Sequence, residues 1–187
     1  MSRKKTDRIY EWVFFAHSFL DIAKLGLNKL NKSKNSQKDL FAPELNNILI
    51  AVLWNFKHSM EIAVKSLTAL SDEYYIHSHD QVDLLTDLAN TLEKRKIPQP
   101  KNIAQFFPLF IKYYRLNIWN KKIIKNAVLS DTNNDLLRFP HNSARFELDI
   151  KEFKKINKSD LKDLAKDIDL FEDFLEYFSE KIEETKK

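Results

Sequence analysis

The chain has 187 residues, of which 43% are hydrophobic and 31% charged, with a net charge of +4, one glycine, five prolines and no cysteine. That length suits one substantial domain burying roughly 70% of its unfolded surface. A single glycine, against about 7% in average usage, cannot furnish the turns of an all-β fold or the phosphate-cradling loops of Rossmann and P-loop proteins, and the missing thiols exclude disulfide scaffolds, zinc fingers, iron–sulfur clusters and cysteine nucleophiles. An all-α protein is expected.

In the first segment Ile9, Val13, Ala16, Leu20, Ala23, Leu27 and Leu30 advance in steps of four and three, which predicts one face of a helix from about Asp7 to Leu30. Trp12, Phe14, Phe15 and Phe19 add apolar surface beside that stripe, so this helix needs cover on more than one side. Gly26 falls inside it at a cost of about 1 kcal/mol against alanine. Close approach of a neighbouring helix is the expected reason. The basic start faintly resembles a signal peptide, but Glu11, His17 and Asp21 interrupt the apolar run behind it, so a cytoplasmic protein is expected. The polar run that follows predicts a mobile loop over about residues 31–42.

Pro43 suits the first turn of a second helix and Glu44 its positive end. Leu45, Leu49, Val52, Phe56, Met60, Ala63, Leu67 and Leu70 keep the same rhythm, and Glu61 with Lys65 forms an i,i+4 pair in the better orientation. The longest uncharged apolar stretch, residues 45–56, is far short of the roughly 20 residues of a membrane span. After a connector, Ser78 with Gln81, or Asp80, offers a cap for a short third helix. Val82, Leu85, Leu88, Ala89 and Leu92 are read as its buried face. Lys94, Arg95 and Lys96 favour its end, and Pro98 and Pro100 close it.

A fourth helix shows Ile103, Phe107, Phe110 and Tyr114 on one face, with Pro108 expected to kink or restart it, and periodicity continuing loosely through Ile123, Ile124, Ala127 and Val128. Residues 130–157 read as an irregular polar connector around Arg138-Phe139-Pro140. The last helix starts at about Ser159 or Asp160 and carries Leu161, Leu164, Ile168, Phe171, Leu175, Phe178 and Ile182 in alternating steps of three and four. That seam suits antiparallel bundle packing or a symmetric dimer. Residues 1–187 are therefore read as one up-and-down antiparallel bundle of about five helices.

Charge is uneven along the chain. Residues 1–39 carry a net +5, residues 40–93 a net −6, residues 94–125 a net +9 with no acid, and residues 126–187 a net −4. The basic block comprises Lys94, Arg95, Lys96, Lys101, Lys112, Arg115, Lys121, Lys122 and Lys125, interleaved with Tyr113, Tyr114 and Trp119. Cations meet phosphates and exposed aromatics stack on unpaired bases, so the block suggests nucleic acid. The same cations could instead face the acidic helices, and the aromatics could lie in the core. His77, His79 and Asp80 form the densest polar cluster, for which capping and loop hydrogen bonds suffice, so no metal is expected. No cofactor motif and no nucleophile signature stands out. The acids of the last helix read as a solvated face.

Three pieces of this pattern resemble the HEPN superfamily (higher eukaryotes and prokaryotes nucleotide-binding) of helical bundles. Phe56-Lys57-His58-Ser59-Met60-Glu61-Ile62-Ala63-Val64-Lys65-Ser66-Leu67 is similar to the family's long helix with Glu and Lys one turn apart. His77-Ser78-His79-Asp80 followed by Leu84-Leu85 resembles its histidine-and-acid turn, and Arg138-Phe139-Pro140 the Arg-aromatic-Pro segment before its closing helix. The resemblance implies one of two roles. Many members are metal-independent ribonucleases whose dimer joins an Arg and a His from an R-x(4–6)-H motif. That spacing is missing here, since Arg138 and His141 are separated by two residues, although these two could still supply a cation and a proton shuttle. Other members bind nucleotide or RNA without cleaving it, or pair with a nucleotidyltransferase in a toxin–antitoxin or phage-defence module. The missing motif, the seam of the last helix and the basic block fit this non-catalytic, homodimeric role. A ribonuclease toxin using Arg138 and His141 is the alternative, and a helical protein-interaction module without nucleic acid is a third reading.

Overall fold

Side chains repeating every three or four residues have only one way to share a core, and the chain takes it. A computed structural model describes residues 3–32, 43–69, 81–96, 103–114, 124–125, 141–142, 146–148 and 155–184. Among these residues lie five helices: α1 (Arg3–Lys32), α2 (Pro43–Thr68), α3 (Gln81–Arg95), α4 (Ile103–Tyr114) and α5 (Lys158–Glu184). The protein is an all-α helical bundle. Helix α2 is its hub, packing against α1, α3, α4 and α5.

Directions follow from which residues meet. Across α1 and α2, Ala16 meets Ser59, Phe19 meets Trp54 and His58, and Gly26 meets Val52, so the two run antiparallel. Tyr10, His17 and Lys24 of α1 reach Glu183, Ser179 and Glu172 of α5, again in opposite order. On α4, Phe106 stacks on Phe171 and packs beside Phe174, while Tyr113 reaches Asp167. That pair is antiparallel too. The seven-residue stripe read on α1 is buried throughout, from Ile9 to Leu30. On α5 the seam from Leu161 to Phe178 is buried in the same way, so it serves bundle packing and is not open to a second copy.

Gly26 marks the tightest crossing. A Cβ there would lie 2.6 Å from Val52 Cγ2, inside van der Waals contact, so only glycine lets α1 and α2 approach this closely. The start of α5 lies slightly earlier than its sequence suggests. Asn157 Oδ1 accepts from the Ser159 and Asp160 amides at 2.8 and 3.2 Å, and Asp160 Oδ2 accepts from the Asn157 amide at 2.8 Å. This is a reciprocal capping box with asparagine at the cap. Helix α3 ends on Lys96, whose φ of 49° is the left-handed conformation usually given to glycine. Its amide donates to the Glu93 carbonyl at 3.1 Å.

Several local expectations change. The buried face of α3 is Leu84, Leu88 and Leu92, with Leu85 only partly buried and Ala89 exposed. Adjacent Leu84 and Leu85 head two apolar faces, one continuing to Leu88 and Leu92 and the other to Ala89, and the core takes the one bearing larger side chains. Helix α4 runs through Pro108 without interruption, and Pro108 itself is exposed. Its buried residues are Phe106, Leu109, Phe110 and Tyr113, with Phe107 partly covered.

At Ile124 a strand replaces the expected helical rhythm, and Ile123, Ala127 and Val128 lie outside the described residues. Ile124–Lys125 forms strand β1, His141–Asn142 strand β2 and Phe146–Leu148 strand β3, in a small sheet of order β1-β3-β2. Both pairings are antiparallel, with Ile124 opposite Leu148 and Asn142 opposite Phe146. A β-branched residue at Ile124 and the apolar–polar–apolar alternation of Phe146-Glu147-Leu148 suit pleated pairing. The expected mobile loop lies outside the described residues apart from its first two positions, which extend α1.

Candidate functional site

Helix α2 carries an unusual load for a central helix. Asn55, Lys57, Ser59, Glu61, Lys65, Ser66 and Thr68 are all buried among its leucines, valines and aromatics. The neutral ones turn inward on backbone: Asn55 Nδ2 donates to the Ala51 carbonyl at 2.7 Å, Ser66 to Ala63 at 2.7 Å and Thr68 to Val64 and Lys65 at 3.1 and 3.0 Å. Ser59 instead donates across the interface to the Ala16 carbonyl at 2.6 Å, tying α1 to α2.

The charged members form a row. Lys57, Glu61 and Lys65 follow at i, i+4 and i+8, one above the next on a single stripe, and Lys57 is 0% exposed. Lys65 Nζ donates to Glu61 Oε1 at 2.7 Å, and His58 Nδ1 stands 3.7 Å from Glu61 Oε2. Each oxygen of Glu61 therefore faces a nitrogen base. A carboxylate so engaged is a counter-ion for Lys65 and is poorly placed to take a proton from a substrate. Taking such charges out of water costs several kcal/mol per ion unless pairing offsets it.

His58 is half-buried, its ring stacked on Trp54 with centroids 5.1 Å apart and edge-on to Phe19 at 4.6 Å. His58 thus packs among aromatic rings, and sequence reasoning found the Glu61–Lys65 pair. It missed Lys57. The signal was present in the same four-residue spacing one turn earlier, but a lysine between Phe56 and His58 reads as solvated.

The basic block divides. Lys94 and Lys96 are exposed at the end of α3. Lys112 is instead drawn into the bundle, where it forms an ion pair with Asp167 of α5 and lies 5.4 Å from the Tyr113 ring centroid. Tyr113 is buried and its hydroxyl donates to the same Asp167 Oδ2 at 2.6 Å. Burial first, and the Asp167 carboxylate second, push the Tyr113 phenol well above its usual range. Tyr113 thus belongs to the core and not to a stacking surface, and at Lys112 the intramolecular pairing is realised. The backbone of Arg95 ends α3, while Lys101, Arg115, Lys121 and Lys122 lie outside the described residues.

The other singled-out positions separate in the same way. His77, His79, Asp80 and Arg138 lie outside the described residues. The small sheet sets His141 and Lys125 opposite the same residue of its central strand, Glu147, from either side. Among the described residues no three His, Asp or Glu side chains gather closely enough to hold a metal ion, and no helix is long and apolar enough to cross a membrane. The chain matches no protein-family model, no curated protein and no solved structure with which it was compared.

Proposed function

We propose that this bundle is a non-catalytic, HEPN-like protein that binds RNA or nucleotide in the cytoplasm. It acts as a homodimer and serves as one component of a toxin–antitoxin or phage-defence module, with a nucleotidyltransferase as its partner. One observation carries the reading: Lys94 and Lys96 stand exposed at the end of α3, at the head of a segment in which nine cations occur without an acid. The all-α bundle supports it, as does the engagement of Glu61 by Lys65 and His58, which leaves that carboxylate no free role as a base. Phosphate recognition needs only cations at the surface, and the described part of the block supplies them at the C-terminal end of α3.

Titrating a short single-stranded RNA at two salt concentrations tests the proposal. Affinity should fall steeply as salt rises, and a Lys94→Glu/Lys96→Glu variant should bind more weakly while keeping its helix content. No binding at low salt contradicts the proposal. RNA cleavage in EDTA that disappears in Arg138→Ala and in His141→Ala would replace it with the ribonuclease reading.

A further inference from the structure

Helix α1 is covered by α2 on one side and α5 on the other, yet its outward face is apolar. Phe14 is 64% exposed, Phe15 55%, Ile22 50% and Leu25 69%. Three of these fall on a regular seam. Glu11, Phe15, Ser18, Ile22, Leu25 and Lys29 advance by four, three, four, three and four, the heptad spacing of a two-helix coiled coil. The seam lies roughly 150° around the helix from the buried stripe at 3.6 residues per turn, so folding of the bundle leaves it open. Its one polar interior member is already satisfied, since the Ser18 hydroxyl donates to the Phe14 carbonyl at 3.0 Å.

We infer that α1 packs antiparallel against α1 of a second copy of this chain through that seam. The charge at its two ends selects the occupant and its direction. Glu11 and Lys29 are both exposed and close the seam at opposite ends, about 27 Å apart at 1.5 Å per residue. With the two-fold axis crossing the seam at the height of residue 20, Phe15 meets Leu25, Ser18 meets Ile22 and Glu11 meets Lys29 of the partner subunit, each position matched reciprocally as an isologous contact requires. A parallel pair would set Glu11 against Glu11 and Lys29 against Lys29, repelling at both ends. Exposed Asp21 flanks the seam close to the axis, where its approach to the partner's Asp21 keeps the pair dissociable. The inference deepens the homodimer of the proposed function and rests on that reading only for its biological purpose. No RNA enters its test, so failure of the dimer and failure of RNA binding are separate results.

Sedimentation velocity of the full chain over a concentration series reads the association directly. A reversible monomer–dimer equilibrium is expected. Leu25→Glu should weaken it by about tenfold or more without loss of helix content by circular dichroism. Glu11→Lys and Lys29→Glu should each weaken the dimer, and the double variant should restore it. Because the chain has no cysteine, Phe15→Cys and Leu25→Cys proteins should cross-link on oxidation only when mixed. A monomer at every concentration, a dimer indifferent to Leu25→Glu, or either cysteine variant cross-linking to itself would overturn the inference.

Discussion

Helices α1 and α2 lie against each other, and they depart from apolar-inside packing in opposite senses. Helix α2 buries Lys57, Glu61 and Lys65 at the centre of the bundle. Helix α1 buries a faultless aliphatic stripe and then exposes Phe14, Phe15, Ile22 and Leu25. The difference separates two demands on one fold. Charges inside α2 must be mutually paired for the monomer to stand, so they are read most directly through stability. Apolar groups outside α1 contribute little to the monomer and are read through association.

The largest effect should come from breaking the α2 row. Glu61→Gln leaves Lys65 buried without its counter-ion and should cost about 3–5 kcal/mol in denaturant unfolding. Replacing the row together, as Lys57→Met/Glu61→Leu/Lys65→Met, should be neutral or stabilising if its role is structural alone. A loss from Glu61→Gln below about 1 kcal/mol would mean that the row is open to water.

A smaller effect is expected where α4 meets α5. Tyr113→Phe removes the hydrogen bond to Asp167 and should cost about 1–2 kcal/mol at neutral pH. The variant should also change the alkaline limb of the stability curve. A phenol whose folded-state pKa is raised contributes fully below its unfolded value near pH 10 and loses that contribution as pH rises through the window above it. Wild-type stability should therefore fall more steeply above about pH 10 than that of Tyr113→Phe. Parallel curves would place the hydroxyl in solvent.

Much of the fold was legible in the sequence where one face of a helix was plainly more apolar than the rest. The α1 stripe from Ile9 to Leu30 and the α5 seam from Leu161 to Phe178 lie buried as read, and Gly26 marks a close helix crossing as expected. Periodicity failed where a segment was apolar all round. In α4 the run from Phe106 to Tyr113 offers several faces, and only packing against Phe56, Phe171 and Phe174 selects one. The strands at 124–125, 141–142 and 146–148 are too short to announce themselves before they pair. Of the candidate site, the Glu61–Lys65 pair was visible as an i,i+4 spacing. Its burial, the addition of Lys57 and the capture of Lys112 by Asp167 were not, because a charge in a sequence carries no sign of whether its partner comes from another helix.

The division of large apolar side chains between a buried core and an open face of α1 is read by removing the same side chain from inside and outside the bundle. Phe171 packs against Phe56 and Phe106 with ring centroids 5.7 and 6.2 Å away, while Phe14 meets solvent. In denaturant unfolding of dilute protein, Phe171→Ala should lose about 3–5 kcal/mol, and Phe14→Ala should stay within about 0.5 kcal/mol of the parent. Comparable losses from the two substitutions would contradict the account.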